Sequence, residues 1–247
     1  SDQLALIETA KSNPLRPKCH FSQKNDSLDR EACEYFFDNS SIAVIGNSHG
    51  TELAYALADE LRQSSEGIVH HTMSGCRHNY QKTGDKQSIC LQWHENVLSD
   101  LTSQESIKTV VVSYRNEKYI DKEGYRRSLV QTIEQLSSAD KRVILVLQAP
   151  LPGKHIYKYI KHSLLGDTPD VKGLDEAEWN RIYKGYELLT EQLPKSTVVV
   201  NPTDLFCNDT GCDVIRDKTA LYFDDNHLSI EGARIIAKYI INQYLFK

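Results

Sequence analysis

The chain has 247 residues, of which 40% are hydrophobic and 26% charged, proportions typical of a globular protein with a substantial core. Its 29 basic and 34 acidic residues give a formal net charge of −5, which does not favour binding to nucleic-acid phosphates or to anionic lipid. No apolar run approaches the roughly 18 residues that a membrane-spanning helix needs. The chain begins Ser-Asp-Gln without an initiator Met or a signal peptide, so we expect a processed or excised piece.

The first forty residues are polar and irregular, and Pro14 and Pro17 interrupt any regular element there. We interpret residues 1–40 as a lead-in segment tied down by Cys19 and Cys33, and residues 41–247 as the main domain. Beyond residue 40, short apolar runs alternate with amphipathic stretches. The predicted strands are 42–45, 68–73, 110–112, 143–147 and 198–200. The predicted helices are 51–62, 124–137, 175–193 and 230–245.

Continuous apolar strands that alternate with amphipathic helices indicate a mostly parallel sheet that is covered on both faces. About five strands predict one three-layer α/β/α domain with a doubly wound, flavodoxin-like sheet. In open sheets of this kind, ligands bind outside the carboxyl ends of the strands. The residues that directly follow each strand are therefore the first candidates for chemistry.

The six cysteines form three sequential pairs, and each pair brackets a polar stretch rich in turn residues. The pairs are Cys19 with Cys33, Cys76 with Cys90, and Cys207 with Cys212. Six cysteines allow many connectivities, so this pairing is one of several. An even number of cysteines in loops favours an oxidising compartment, and the alternative is a cytosolic protein with six buried thiols. No pattern has convincing spacing for a metal site, and we expect neither a metal nor a cofactor.

Two polar motifs lie near the two ends of the predicted main domain. Residues 46–50 read Gly-Asn-Ser-His-Gly after the first strand, where the Ser48 hydroxyl would be exposed near a helix N-terminus that favours an oxyanion. Near the other end, Asp224 could accept the imidazole N–H of His227 and leave the second ring nitrogen to act as a base. Taken singly, Ser48 could merely cap its helix and His227 could be a solvated turn residue. Their coincidence in one α/β chain favours catalysis.

Two α/β families contain motifs of this kind. Residues 46–50 fit the G-x-S-x-G nucleophile elbow of α/β-hydrolases, but in that fold several strands precede the serine and the acid is well separated from the histidine. The chain more closely resembles the SGNH hydrolase superfamily, whose first block is usually G-D-S and whose last block is D-x-x-H. Residues 46–48 depart from the first block by Asn in place of Asp, and residues 224–227 match the last block fully.

A narrower resemblance is to the SGNH domains that are fused behind membrane acyltransferase-3 domains in bacterial envelope O-acetyltransferases. It spans about residues 19–245 and rests on four short segments. These are Gly-Asn-Ser-His at 46–49, Ser-Gly-Cys at 74–76, the short cysteine loop 207–212, and Tyr-Phe-Asp-Asp-Asn-His-Leu-Ser at 222–229 followed by Gly-Ala at 232–233.

The superfamily resemblance implies a role for each matching residue. Ser48 would be the nucleophile, His227 the base and Asp224 the acid that orients His227. The backbone N–H groups of Ser48 and Gly75, with the side chain of Asn116, would form the oxyanion hole.

The third superfamily block, G-x-N, is the least well matched. It reads Tyr114-Arg115-Asn116 here, so the local backbone can differ from the family pattern and Asn116 could be an ordinary loop residue. Arg115 could instead contact the substrate, and His49 could shape the pocket.

The narrower resemblance implies acetyl transfer to, or ester hydrolysis on, a bacterial cell-envelope glycan such as the O-antigen of lipopolysaccharide. It further implies that a membrane acyltransferase domain outside this chain supplies the acetyl group, and that the chain is the periplasmic, soluble domain of an inner-membrane protein. Two alternatives are a non-catalytic glycan-binding module on the same fold and a stand-alone carbohydrate esterase. No nucleic-acid partner is expected.

Overall fold

The computed structural model of the chain describes residues 2–22, 28, 30–77, 89–163, 171–173 and 176–245. The strands are β1 (His20–Phe21), β2 (Cys33–Tyr35), β3 (Ile42–Gly46), β4 (Ile68–Met73), β5 (Thr109–Ser113), β6 (Arg142–Val146), β7 (Val171–Gly173), β8 (Val198–Val200), β9 (Cys207–Asn208), β10 (Gly211–Arg216) and β11 (Thr219–Ala220). The helices are α1 (Asp2–Thr9), α2 (Arg16–Cys19), α3 (Thr51–Leu61), α4 (Ile89–Ser103), α5 (Glu123–Ser138), α6 (Ile156–Ser163), α7 (Glu176–Thr190), α8 (Thr203–Phe206) and α9 (Ile230–Ile240).

The main sheet has the strand order β1-β4-β3-β5-β6-β8, and β2 also pairs with β4. All of these pairings are parallel except that of β2 with β4, which is antiparallel. This arrangement confirms the predicted mostly parallel α/β fold. The sheet has seven strands rather than about five, because residues 20–35 of the predicted lead-in segment supply β1 and β2.

Each face of the main sheet carries its own hydrophobic core. Along β3 the side chain of Val44 belongs to one core and those of Ala43 and Ile45 to the other, as the two-residue period of a strand requires. Helices α3, α6 and α9 cover the first face, and α4, α5 and α7 cover the second. The strands are thus buried on both sides, which explains why they read as continuous apolar runs.

The five predicted strands are β3, β4, β5, β6 and β8, and each lies within a residue or two of its expected position. Helices α3, α5 and α7 also match, and α9 continues into a π-helical turn over Ile241–Leu245. Helix α4 was not predicted. Within the described ranges, no helix combines the length and the apolar character needed to cross a bilayer.

A second, antiparallel sheet consists of β7, β9, β10 and β11, and it was not predicted. Its strand β9 begins at Cys207, which forms a disulfide with Cys212 of β10. The other two disulfides join Cys19 to Cys33 and Cys76 to Cys90, each with Cα atoms 5.4 Å apart. The structure therefore has the sequential pairing that was one of several possibilities from the sequence.

Candidate active site

The nucleophile turn follows β3 directly and depends on a glycine. A Cβ atom at Gly46 would lie 1.9 Å from the backbone oxygen of Ser113, so only glycine lets β3 end this close to β5. Asn47 then leaves the strand, and Ser48 begins a single 3₁₀ turn (Ser48–Gly50) that leads into α3. Ser48 consequently stands at the carboxyl edge of the sheet and at the positive end of an eleven-residue helix.

The Asn47 side chain holds this turn in place. Its Oδ1 accepts hydrogen bonds from the backbone N–H of His49 at 3.1 Å and from that of Arg115 at 3.0 Å. One amide oxygen makes both contacts, so the replacement of the usual Asp by Asn keeps the bonds that shape the turn. Because Arg115 follows β5, Asn47 also connects the nucleophile turn to the next strand of the sheet.

Ser48, His227 and Asp224 form a continuous hydrogen-bonded chain. The Ser48 Oγ lies 2.8 Å from His227 Nε2, and His227 Nδ1 lies 2.7 Å from Asp224 Oδ2. An ionised carboxylate can only accept, so Nδ1 carries the ring proton and Nε2 presents its lone pair to the Ser48 hydroxyl. The structure thus brings Ser48 together with Asp224 and His227, which lie near the other end of the chain.

The backbone of the 224–227 turn keeps Asp224 ionised. Its Oδ1 accepts the backbone N–H groups of Asn226 at 2.8 Å and of His227 at 2.7 Å. Burial alone would raise the pKa of the Asp224 carboxyl, but these bonds and the one from the His227 ring outweigh burial and lower the pKa to about 2. Asp225 makes none of these contacts; it is exposed and accepts a bond from the Asn226 side chain.

Two aromatic rings fix the plane of the His227 ring. Phe223 stacks on it with a centroid distance of 5.3 Å and an interplanar angle of 3°, and His49 lies nearby at 4.7 Å. The guanidinium of Arg16 lies 5.5 Å from the Phe223 ring centroid, and it is held there by an ion pair of 2.6 Å with the buried Glu52. The predicted lead-in segment therefore contacts the surroundings of His227.

His49 and Arg115 meet at the side chain of Asn226. The Oδ1 of Asn226 accepts from Arg115 Nη1 at 3.2 Å and lies 2.9 Å from His49 Nε2, so that nitrogen must be the donor. Burial first, and then the neighbouring His227, lower the pKa of His49 well below its ordinary value. Arg115 also forms an ion pair of 2.6 Å with Glu117. Both residues predicted as substrate contacts thus lie beside the triad.

Asn116 is fully buried with its amide in a defined orientation. The Tyr186 hydroxyl accepts the backbone N–H of Gln148 at 3.2 Å and donates to Asn116 Oδ1 at 2.6 Å. The Nδ2 of Asn116 is buried and has no hydrogen-bond partner among the residues that the structure describes. The side chain of Asn116 faces Tyr186 in the interior and has no accessible surface in this structure, so its assignment to the oxyanion hole stays a prediction.

Gly75, the other predicted oxyanion donor, follows β4, the neighbour of β3. It has a φ of 68°, in the left-handed region that favours glycine, and its loop is held by a bond of 2.7 Å from Ser74 N–H to Phe21 O and by the Cys76–Cys90 disulfide. The loops after β3, β4 and β5 leave the same edge of the sheet.

Sequence reasoning missed the supporting residues Arg16, Glu52, Phe223 and Asn226. Phe223 and Asn226 lie inside the segment 222–229 that carries the family resemblance, so their nearness to His227 was a usable signal. Arg16 and Glu52 carry no such signal, because their contact with each other depends on how the lead-in segment packs against α3.

The fold and this arrangement are those of an α/β protein that positions a Ser–His–Asp triad at the carboxyl edge of its sheet. The family model described as the SGNH domain fused to AT3 domains matches residues 18–242. The chain therefore belongs to this SGNH-domain family.

Three solved structures are similar to the chain at low sequence identity, and the first of them shares its fold. The periplasmic domain of a lipopolysaccharide acetyltransferase from Salmonella ser. Paratyphi A is similar with a TM-score of 0.66 and 15% identity, over 97% of this chain and 93% of that chain. TesA gives a TM-score of 0.46 and 12% identity, over 81% and 96% of the two chains. The salicylyl-acyltransferase SsfX3 from a tetracycline biosynthetic pathway gives 0.40 and 11%, over 83% and 54%. No curated protein sequence is similar enough to match the chain.

Proposed function

We propose that the chain is a serine-dependent O-acetyltransferase domain that acts on a bacterial cell-envelope glycan. The observation that carries the proposal is the hydrogen-bonded chain from Ser48 Oγ through His227 to Asp224, with distances of 2.8 and 2.7 Å. This is the geometry that activates a hydroxyl for attack on an ester. The family to which the chain belongs supports acyl-transfer or esterase chemistry.

The proposed reaction has two half-steps. Ser48 Oγ attacks the carbonyl carbon of an acetyl ester while its proton moves to His227 Nε2, and Asp224 stabilises the imidazolium. The imidazolium protonates the leaving oxygen, and the acetyl group remains on Ser48. A glycan hydroxyl then gives its proton to Nε2, attacks the acetyl carbon and releases Ser48 Oγ, which recovers the proton.

The comparisons support, by analogy, the acetyl donor and the glycan acceptor that we propose. The family is described as fused to AT3 domains, so we infer that such a membrane domain supplies the acetyl group. The structure from Salmonella belongs to a lipopolysaccharide acetyltransferase, and its periplasmic location agrees with the three disulfides of this chain. Water in place of the glycan hydroxyl would make the same triad an esterase.

The decisive test is turnover of a small acetyl ester by the Ser48→Ala and His227→Ala variants. We expect each variant to lose nearly all turnover, since nucleophile and base act as one unit. The double variant should be scarcely slower than either single one. A serine-directed fluorophosphonate should label the unaltered chain and not Ser48→Ala, whereas absence of labelling would favour the non-catalytic glycan-binding module.

Adjacent carboxylates supply a matched control for the acid. Asp224→Asn should keep the fold but lower kcat by up to about 10⁴-fold, because an amide can present His227 in the wrong tautomer. Asp225→Asn removes the same charge one residue away without touching His227, and its kcat should stay near that of the unaltered chain. The reverse ranking of the two variants would show that the acid has been assigned wrongly.

A further inference from the structure

The loop after β6 and helix α6 form a basic surface next to the catalytic acid. The backbone N–H of Ile156, the first residue of α6, donates to the backbone oxygen of Asp224 at 3.2 Å. The Tyr222 hydroxyl donates to the backbone oxygen of Pro150, so the same loop is fixed a second time to the segment that carries the triad. This surface is thus attached directly to the active site.

One side of α6 is buried and the other is exposed. Ile156, Tyr159 and Ile160 pack into the core at helical spacing. The outward side of α6 and the loop before it carry four exposed residues that we call the α6 face, Lys154, Tyr157, Lys158 and Lys161. Tyr157 and Lys161 are four residues apart on the helix, and Lys158 and Lys161 are three apart, so these side chains are neighbours on one surface. Lys154 lies in the loop before the helix, with its Nζ 4.4 Å from the centroid of the Tyr159 ring.

The α6 face carries three positively charged side chains close together in sequence. In the described ranges, no carboxylate forms an ion pair with any of its three lysines, whereas Arg115 in the active site is paired with Glu117. The sequence contains no Asp or Glu from Lys141 to Gly166, although the whole chain has a net charge of −5. A local excess of one charge beside a reaction site attracts substrates of the opposite charge.

The α6 face also presents an exposed aromatic ring. Tyr157 is 53% exposed, and its ring lies 4.9 Å from that of His155. An aromatic ring offers an apolar surface for the C–H face of a sugar, and lysine ammonium groups bind carboxylate or phosphate as point charges. Together they fit an anionic sugar better than a neutral one.

We propose that the α6 face binds an acidic sugar unit, bearing a carboxylate or a phosphate, of the glycan that accepts the acetyl group. This inference rests on the proposed function, because it names the class of acceptor. From Tyr157 to Lys161 the face extends about 6 Å along the helix, away from Asp224. The acidic unit is bound there while a hydroxyl of a neighbouring unit reaches Ser48.

The probe for this inference is tri-galacturonate, which carries a carboxylate on every sugar unit. Its fully methyl-esterified form has the same sugar units without the charge and serves as the control ligand. Calorimetry at low salt should show that the unaltered chain binds the acid about tenfold more tightly than the ester. The difference should shrink in about 0.5 M salt, where exposed charges are screened. Each of Lys154→Gln, Lys158→Gln and Lys161→Gln should weaken binding of the acid by about two- to fivefold. Tyr157→Ala should weaken binding of both probes equally.

Two exposed lysines at the opposite edge of the sheet serve as controls. Lys108 precedes β5 and Lys195 precedes β8, so Lys108→Gln and Lys195→Gln should leave the affinity for tri-galacturonate unchanged. Equal affinity for acid and ester, or equal losses in the control variants, would overturn the inference. So would binding to vesicles of 30% phosphatidylglycerol in phosphatidylethanolamine without binding to tri-galacturonate.

Hydrolysis of a small acetyl ester separates this inference from the proposed function. Such an ester reaches only the triad, so all four α6-face variants should keep its turnover within about twofold. Absence of turnover in the unaltered chain would overturn the proposed catalysis while leaving the binding result intact. Normal turnover without preference for the acidic probe would overturn the α6-face inference alone.

Discussion

The rings of His49 and His227 are close neighbours, and the surroundings of each ring decide whether it can accept a proton. His49 and His227 have ring centroids 4.7 Å apart. Burial and the neighbouring His227 lower the pKa of His49, whose Nε2–H already donates to Asn226. His227 instead faces the ionised Asp224. His49 therefore stays neutral, and in the proposed reaction the Ser48 proton moves to His227 alone.

The lowered pKa of Asp224 predicts how stability depends on pH. The pKa is about 2 in the folded chain and 3.8 in the ordinary carboxyl, so the folded state favours the ionised form. The ionised Asp224 therefore adds about 2 kcal/mol to the free energy of unfolding. This added stability is complete above about pH 4 and is lost as the pH falls through about 2. Unfolding by denaturant between pH 5 and pH 2 should show that Asp224→Asn loses less stability on acidification than the unaltered chain. Identical pH profiles would contradict the assignment of the shift to this carboxyl.

The oxyanion role that the family resemblance implies for Asn116 predicts a loss of rate that is separable from a loss of stability. Asn116→Ala should lower kcat for acetyl-ester turnover by about 10²- to 10³-fold if Nδ2 donates to the oxyanion. It should also cost about 1–2 kcal/mol of stability, because the Tyr186 hydroxyl loses its acceptor inside the protein. Steady-state kinetics and thermal unfolding of the same samples measure the two effects.

Tyr186→Phe is the matched control for that prediction. It removes the hydroxyl that orients the Asn116 amide, yet it leaves the Nδ2 donor in place. We expect a similar loss of stability and a much smaller loss of kcat. If Asn116→Ala and Tyr186→Phe are equally slow, or if both turn over normally, Asn116 is a packing residue and another group stabilises the oxyanion.

At the scale of elements, the lead-in segment is connected to helix α3 by buried polar groups. Asn13 Nδ2 donates to the Tyr35 hydroxyl at 3.0 Å, and that hydroxyl lies 2.6 Å from His70 Nδ1. Asn13 also donates to the backbone oxygen of Thr51, the first residue of α3. The position of α3, and hence of the nucleophile turn before it, therefore depends on residues nearly forty positions upstream.

The difference between local signals and contacts distant in sequence explains which parts of the structure could be predicted from the sequence. Strands β3, β4, β5, β6 and β8 are buried on both faces, so their apolar runs are a local signal. The three residues of the triad could also be predicted from the sequence, because Ser48 directly follows a strand and Asp224 lies three residues before His227. Strands β1 and β2 were missed because two or three polar-flanked residues become strands only by pairing with β4.

Helix α4 and the second sheet were missed for related physical reasons. In α4 the buried residues Leu91, Val97, Leu98 and Leu101 have helical spacing, but the polar His94 is buried among them and interrupts the apolar pattern. Strands β9 and β11 have two residues each, and the Cys207–Cys212 disulfide and the pairing with β10 define them. Contacts distant in sequence, rather than local propensity, create these elements.

For the molecule as a whole, the three disulfides predict a strong dependence of stability on redox state. Cys19–Cys33 and Cys76–Cys90 each have a separation of 14 residues and Cys207–Cys212 one of 5, and the three loops do not overlap. In the chain-entropy model they contribute about 3, 3 and 2 kcal/mol, which together approach the total stability of many domains.

Native mass analysis should therefore find no titratable thiol and a mass lower than that of the reduced chain by six hydrogens. Reduction should lower the melting temperature sharply, and acetyl-ester turnover should be lost as the chain unfolds. The double variant Cys207→Ser with Cys212→Ser should cost least, because its loop is shortest and lies in the second sheet. Removal of Cys19–Cys33 should cost more, because that bond joins α2 to β2, the strand that pairs with β4. Six free thiols in the native chain would contradict both the pairing and the proposed periplasmic location.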